Sequence, residues 1–151
     1  MLFRSDRAEL AADVVAQTET VTAATTALQS RFDAAVAAKE AAEAAALANT
    51  PDGARAAARQ IAADQYGWGD DQFSCLNSLW NKESSWNYQA YNSNGGATGI
   101  PQALPGSKMA SFGTDWQTNA TTQVKWGLDY ISRAYGSPCS AWGHSQSVNW
   151  Y

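Results

Sequence analysis

Residues 5–48 carry neither glycine nor proline and are dominated by strong helix formers, so the stretch has one low-energy solution, a single long α-helix. Val14, Val21 and Leu28 recur every seven residues, Ala35 and Ala42 continue the series, and Leu10 and Phe32 lie close to it. A seam this narrow suits packing against a partner helix or another copy of the chain. The second heptad position holds Gln17, Ala24 and Arg31, which makes a poor coiled-coil core. The expectation is a stalk or spacer helix, with self-association or a partner helix through residues 8–48. Acidic side chains outnumber basic ones, which disfavours a helix lying on a membrane. No run of 18 apolar residues exists, so no membrane span is expected.

Composition changes sharply past this helix. Of the alanines, 23 fall between Ala8 and Ala63, whereas all seven Trp and all six Tyr lie at or beyond Tyr66. Two parts are expected, a helical segment over residues 1–50 and an aromatic-rich domain over 51–151. The domain is near the small end for an independent core. Residues 66–151 carry four basic and five acidic groups, so they offer polyphosphate no positive surface and nucleic-acid binding is not expected. Neutral polar ligands with apolar faces, such as sugars, suit such a surface better. Cys75 and Cys139 either form a disulfide or sit as two buried thiols; the even count favours the bridge and an oxidising compartment.

Thr50 and Pro51 open a second predicted helix that runs to Tyr66 before Gly67. A third is capped by Asp70 or Asp71 and continues to about Ser84. Residues 88–102, dense in Gly and Asn with an Asn94-Gly95 turn signal, predict an irregular β-hairpin. A short helix is expected near residues 104–113. Val124, Leu128, Ile131 and Tyr135 mark a strong helix capped by Thr118 or Asn119 and stopped by Gly136. Ser137-Pro138 opens a last one through Trp142. The domain therefore reads as mostly α with a small β element.

Glu83 is the last glutamate in the chain, forty positions after Glu43. Phe73, Leu76, Leu79 and Trp80 share one helical face, and at 100° per residue Glu83 falls about 20° from Leu76, in the middle of it. A helix ending at Trp80 would instead leave Glu83 in a loop. On the apolar face, burial and the helix C-terminal dipole both raise a carboxyl pKa, which is what a general acid near neutral pH requires.

"ESSWNYQAYNSNGGATGIPQ" resembles the active-site region of soluble-type (SLT) lytic transglycosylases, especially short secreted actinobacterial members. The match covers Glu83-Ser84, the Gly96-x-x-Gly99-x-x-Gln102 loop, and "ALPGSKMAS", "WQTNATTQVKWGLDYI" and "YGSPCSAW" further on. The spacing from Cys75 to Glu83 more distantly resembles resuscitation-promoting factors, which act on the same polymer. Pro101 stands where many members have Met. The third motif matches Ala141-Trp142-Gly143, which lacks the family's tyrosine, with Ala134-Tyr135-Gly136 at a helix end as the alternative match.

The resemblance implies a lysozyme-like α+β catalytic domain preceded by the Ala-rich helix. It implies cleavage of the peptidoglycan MurNAc–GlcNAc β-1,4 bond with a 1,6-anhydro product, in a secreted or cell-wall protein. Muramidase-type hydrolysis and a non-catalytic wall-binding module are the alternatives. Glu83 is the expected sole acid and base, because ordinary glycosidases need two carboxyl groups and only Asp115 and Asp129 follow it. Ser84, Gln102, Trp86, Tyr88, Tyr91, Gly99 and Trp142 are the expected substrate-binding residues. No cofactor or metal is expected, since His144 is the only histidine.

Overall fold

A computed structural model describes residues 2–151, which divide into two compact units, one up to Ala42 and one from Glu43 to Tyr151. α1 (Leu2–Ala48) is one uninterrupted helix. Thr18, Thr20, Thr22, Thr25 and Thr26 each turn a hydroxyl back onto the carbonyl four residues earlier, so these β-branched positions keep their polar groups satisfied within the helix. Among the described residues no helix is long and apolar enough to cross a membrane.

In the second unit, α2 (Pro51–Tyr66) starts where Thr50 Oγ1 accepts a hydrogen bond from Gly53 N at 3.1 Å and ends at Gly67 in the left-handed conformation. A Cβ on Gly53 would collide with the Leu47 carbonyl, so the first turn of α2 folds tightly over the end of α1 only with glycine there. Ala54, Ala58 and Ala62 form its buried edge, and their small size lets neighbouring helices approach closely. α3 (Asp70–Ser84) buries Leu76, Leu79 and Trp80; its cap residue is Gly69 rather than the expected Asp70 or Asp71, which both lie within the first turn. α4 (Ala120–Tyr135) is capped by Asn119, whose Oδ1 accepts from Thr121 N at 2.9 Å. Asn49 reaches across to the same end, donating to Thr118 O and accepting from Ala120 N. α5 (Pro138–Val148) continues six residues beyond Trp142.

The core joins Leu76, Leu79, Trp80 and Trp86 to Ile100, Val124, Leu128, Ile131 and Ala141. The disulfide between Cys75 and Cys139 ties α3 to α5. Closing a separation of 64 residues is worth about 4 kcal/mol in the loop-entropy picture.

The expected lysozyme-like α+β class with a β-hairpin is corrected: among the described residues the elements are all helical and no strand or sheet forms. Residues 88–103 make only two isolated bridges, Tyr91 with Thr98 and Thr98 with Ala103. The reason lies in the backbone. Gly96, Gly99 and Gln102 all have positive φ, so the chain reverses every three residues and no ladder can propagate. The other short element is a 3₁₀ helix over Gly106–Phe112.

Candidate functional site

Glu83 occupies the last turn of α3 and is half-buried. Desolvation pushes its carboxyl pKa above the ordinary 4.5, and the neighbouring Lys82 ammonium offsets this in part. Lys82 does not pair with it. The ammonium instead donates to Ser145 O at 3.0 Å and Ser145 Oγ at 2.8 Å and lies 6.0 Å from the Trp142 ring, which fastens it to α5. Among the described residues the Glu83 carboxyl has neither a hydrogen bond nor an ion pair. Of the four other acids beyond Tyr66, Asp71 is exposed in the first turn of α3, at the opposite end of the helix from Glu83, and three are engaged by other side chains. Asp115 accepts from Thr122 and Asn119, which lowers its pKa; Asp129 pairs with Arg133 and Asp70 with Arg59.

The chain leaves α3 through two consecutive left-handed residues, Ser85 at φ 53° and Trp86 at φ 60°. Such a conformation is costly for a bulky residue and persists only where packing over-determines it. Here it turns the Trp86 indole inward, edge-on to Trp80 at 5.1 Å, with Nε1 donating to Asn77 Oδ1 at 3.0 Å. Trp86, expected to bind substrate, is fully buried and offers no face to a ligand.

Ser84 Oγ donates to Ile100 O at 2.8 Å and to Trp80 O at 3.3 Å, so it joins the helix end to the glycine loop. Gly99 is buried against Gln123; a Cβ there would lie 2.7 Å from the Gln123 Cδ. Gln102 turns its Nε2 back onto Gly99 O at 2.9 Å. Tyr88 packs its ring on the core, while Tyr91 is exposed on the loop. Trp142 is half-buried on α5. Glu83, Ser84, Gly99 and Gln102 are thus linked through one helix end and one loop. Trp86 is withdrawn from them.

Three contributors were not evident from the sequence. Gln123 is fully buried: its Oε1 accepts from Ile100 N at 2.9 Å, and its Nε2 donates to Tyr88 O and Trp116 O. It staples three loop segments. A polar residue spaced four before Gly127 and three after Ala120 on the apolar face of α4 was the available signal. Tyr151 is the second. Its hydroxyl accepts from Trp80 Nε1 at 2.9 Å and donates to Pro101 O at 2.8 Å. Burial raises its pKa well above 10, and the negative charge of Glu83 adds to that rise. Tyr130 is the third, with ring centroids 5.9 Å from Tyr151 and 6.1 Å from Tyr135, whose hydroxyl is pushed up to about 12 by burial and by Tyr130.

Beside this cluster opens a small cleft of about 90 Å³, walled by Pro101, Gln102, Lys108, Trp126, Tyr130 and Tyr151. Trp126 and Tyr130 stack with centroids 5.2 Å apart. His144 is wedged between Tyr135 and Trp150, and its Nε2 is buried without a hydrogen bond. No group of three or more metal-ligating side chains forms among the described residues.

These features define a small, disulfide-tied helical domain with one unpaired, partly desolvated carboxyl at a helix end. No known protein family, curated protein or solved structure matches the chain.

Proposed function

We propose that the aromatic domain is a peptidoglycan-cleaving lytic transglycosylase that cuts the MurNAc–GlcNAc β-1,4 bond with Glu83 as its sole acid and base. The observation that carries this reading is the state of Glu83, half-buried at a helix end with its carboxyl unpaired and its pKa shifted upward by desolvation, the direction a proton donor needs. The two halves of the resembling motif support it as well, because Ser84 beside Glu83 is hydrogen-bonded to Ile100 within the glycine loop.

In the first step Glu83 gives its proton to the glycosidic oxygen as the bond to the muramoyl C1 breaks and positive charge grows on the sugar. The resulting carboxylate then takes the proton of the muramoyl C6 hydroxyl, and O6 closes onto C1. Proton and bonds balance without water or a second carboxylate. The engagement of Asp70, Asp115 and Asp129 with other side chains favours this single-acid route over one needing two carboxyl groups.

Ser84 and Gln123 hold the loop against the helix end, and Tyr151 holds Trp80 one helical turn before Glu83. Gln102, Tyr91 and the partly exposed Tyr130, backed by Trp126, supply a polar group and aromatic faces for sugar rings, in keeping with the usual lining of ligand pockets. The disulfide suits an oxidising compartment outside the cytoplasm.

The test is digestion of purified peptidoglycan by the full chain and by Glu83→Gln. The wild-type chain should release soluble fragments, and the variant should fold alike and release none. Release by the variant at the wild-type rate would remove Glu83 from the chemistry.

A further inference from the structure

The side chains of α1 from Phe3 to Ala42 are all exposed, so its apolar stripe meets nothing within its own unit. Leu10, Val14, Val21, Leu28 and Phe32 are each more than half exposed. At 100° per residue these five project within an arc of about 40°, a single straight seam. We propose that this seam is a homodimer interface, in which α1 pairs antiparallel with α1 of a second copy of this chain, in a register centred on Val21.

The order of the residues argues for a second copy. Read from either end between Leu10 and Phe32, the spacings are four, seven, seven and four residues, while Phe3, also in phase with Val21, falls opposite Lys39. Reversing one helix about Val21 therefore sets Leu10 opposite Phe32, Val14 opposite Leu28, and Val21 opposite itself. A twofold interface must be self-complementary in this sense, each residue i meeting j while j meets i. An unrelated partner would place no such demand on the stripe.

Charge selects the same arrangement. Asp13 and Arg31 are 18 residues apart, five full helical turns, so they share one flank of the seam. Among the described residues neither is ion-paired. In an antiparallel twofold pair, like flanks face each other, and Asp13 lies about 3 Å along the axis from the level of the other copy's Arg31, two residues of rise. In a parallel pair the same charges fall on opposite flanks and about 27 Å apart. An anionic membrane is a poor occupant, because residues 2–42 carry six acidic and four basic side chains.

The experiment is the solution mass of the full chain by light scattering across a concentration series. A mass of twice 16.1 kDa is expected as concentration rises. Val21→Asp sets two carboxylates face to face at the twofold and should return the single-chain mass. Asp13→Arg or Arg31→Asp alone should weaken association, and the two together should restore it, since the pair is only inverted. That charge swap alters no apolar contact, so it does not depend on how Val21→Asp affects the helix. Oxidative crosslinking fixes the orientation: Val14→Cys chains should crosslink to Leu28→Cys chains and not to themselves, the native cysteines being bonded to each other. A single-chain mass at all concentrations, vesicle binding by a chain that stays single, a dimer indifferent to Val21→Asp, or Val14→Cys self-crosslinking overturns the proposal.

Discussion

Trp80 Nε1 donates to the Tyr151 hydroxyl at 2.9 Å, and through this bond residue 151 braces the helix one turn before Glu83. The same hydroxyl donates to Pro101 O, so one oxygen ties α3 to the glycine loop. Tyr151→Phe leaves a buried indole N–H and a carbonyl without partners. Each unsatisfied group costs about 1–3 kcal/mol, so the variant should lose roughly 2–6 kcal/mol in denaturant unfolding and also lose turnover. Unchanged stability would show that the bond braces nothing.

Glu83 should make the protein less stable at neutral pH than a neutral residue would. Its folded pKa is raised above 4.5, so between the unfolded and folded values the native state holds a proton that the unfolded chain has released. Stability therefore falls as pH rises through that window and stays reduced above it. Glu83→Gln should melt at a higher temperature than wild type at pH 7, and the gap should close as pH falls below 4.5. Melting curves of both proteins across pH read this directly; a variant less stable at pH 7 would contradict it.

Gln123→Leu keeps the bulk but strips partners from Ile100 N, Tyr88 O and Trp116 O. A loss of roughly 3–5 kcal/mol is expected, with faster amide exchange across residues 88–102. Gly99→Ala should disturb the same loop, because φ there is +77° and the added carbon presses on Gln123.

Reducing the disulfide, or replacing Cys139 by Ser, should lower unfolding free energy by about 4 kcal/mol. Denaturant midpoints with and without reductant measure it. An effect below about 1 kcal/mol would mean that the reduced, unfolded chain retains structure across the 64-residue loop.

The helices were legible because their signals are local: an uninterrupted run for α1, Thr50-Pro51 for α2, Asn119 and Gly136 for α4. Glu83 was legible because α3 continues past Trp80 and keeps it in phase with Leu76. The β-hairpin was misread from a genuine turn. Asn92 O accepts from both Gly95 N and Gly96 N, but the flanking residues lack apolar alternation and reverse again at Gly99 and Gln102. Trp86 was misplaced because its residue type alone cannot distinguish a ligand platform from a core filler. The left-handed turn at Ser85 and Trp86 decides it. Tyr151 was out of reach because its contacts with Trp80 and Pro101 span 71 and 50 positions.

The most direct test of the single-acid account is the mass of the fragments that the wild-type chain releases from purified peptidoglycan. Attack by the C6 hydroxyl predicts 1,6-anhydro muropeptides, each one water lighter than its hydrolytic counterpart. A product set made only of hydrated, reducing-end muropeptides contradicts it.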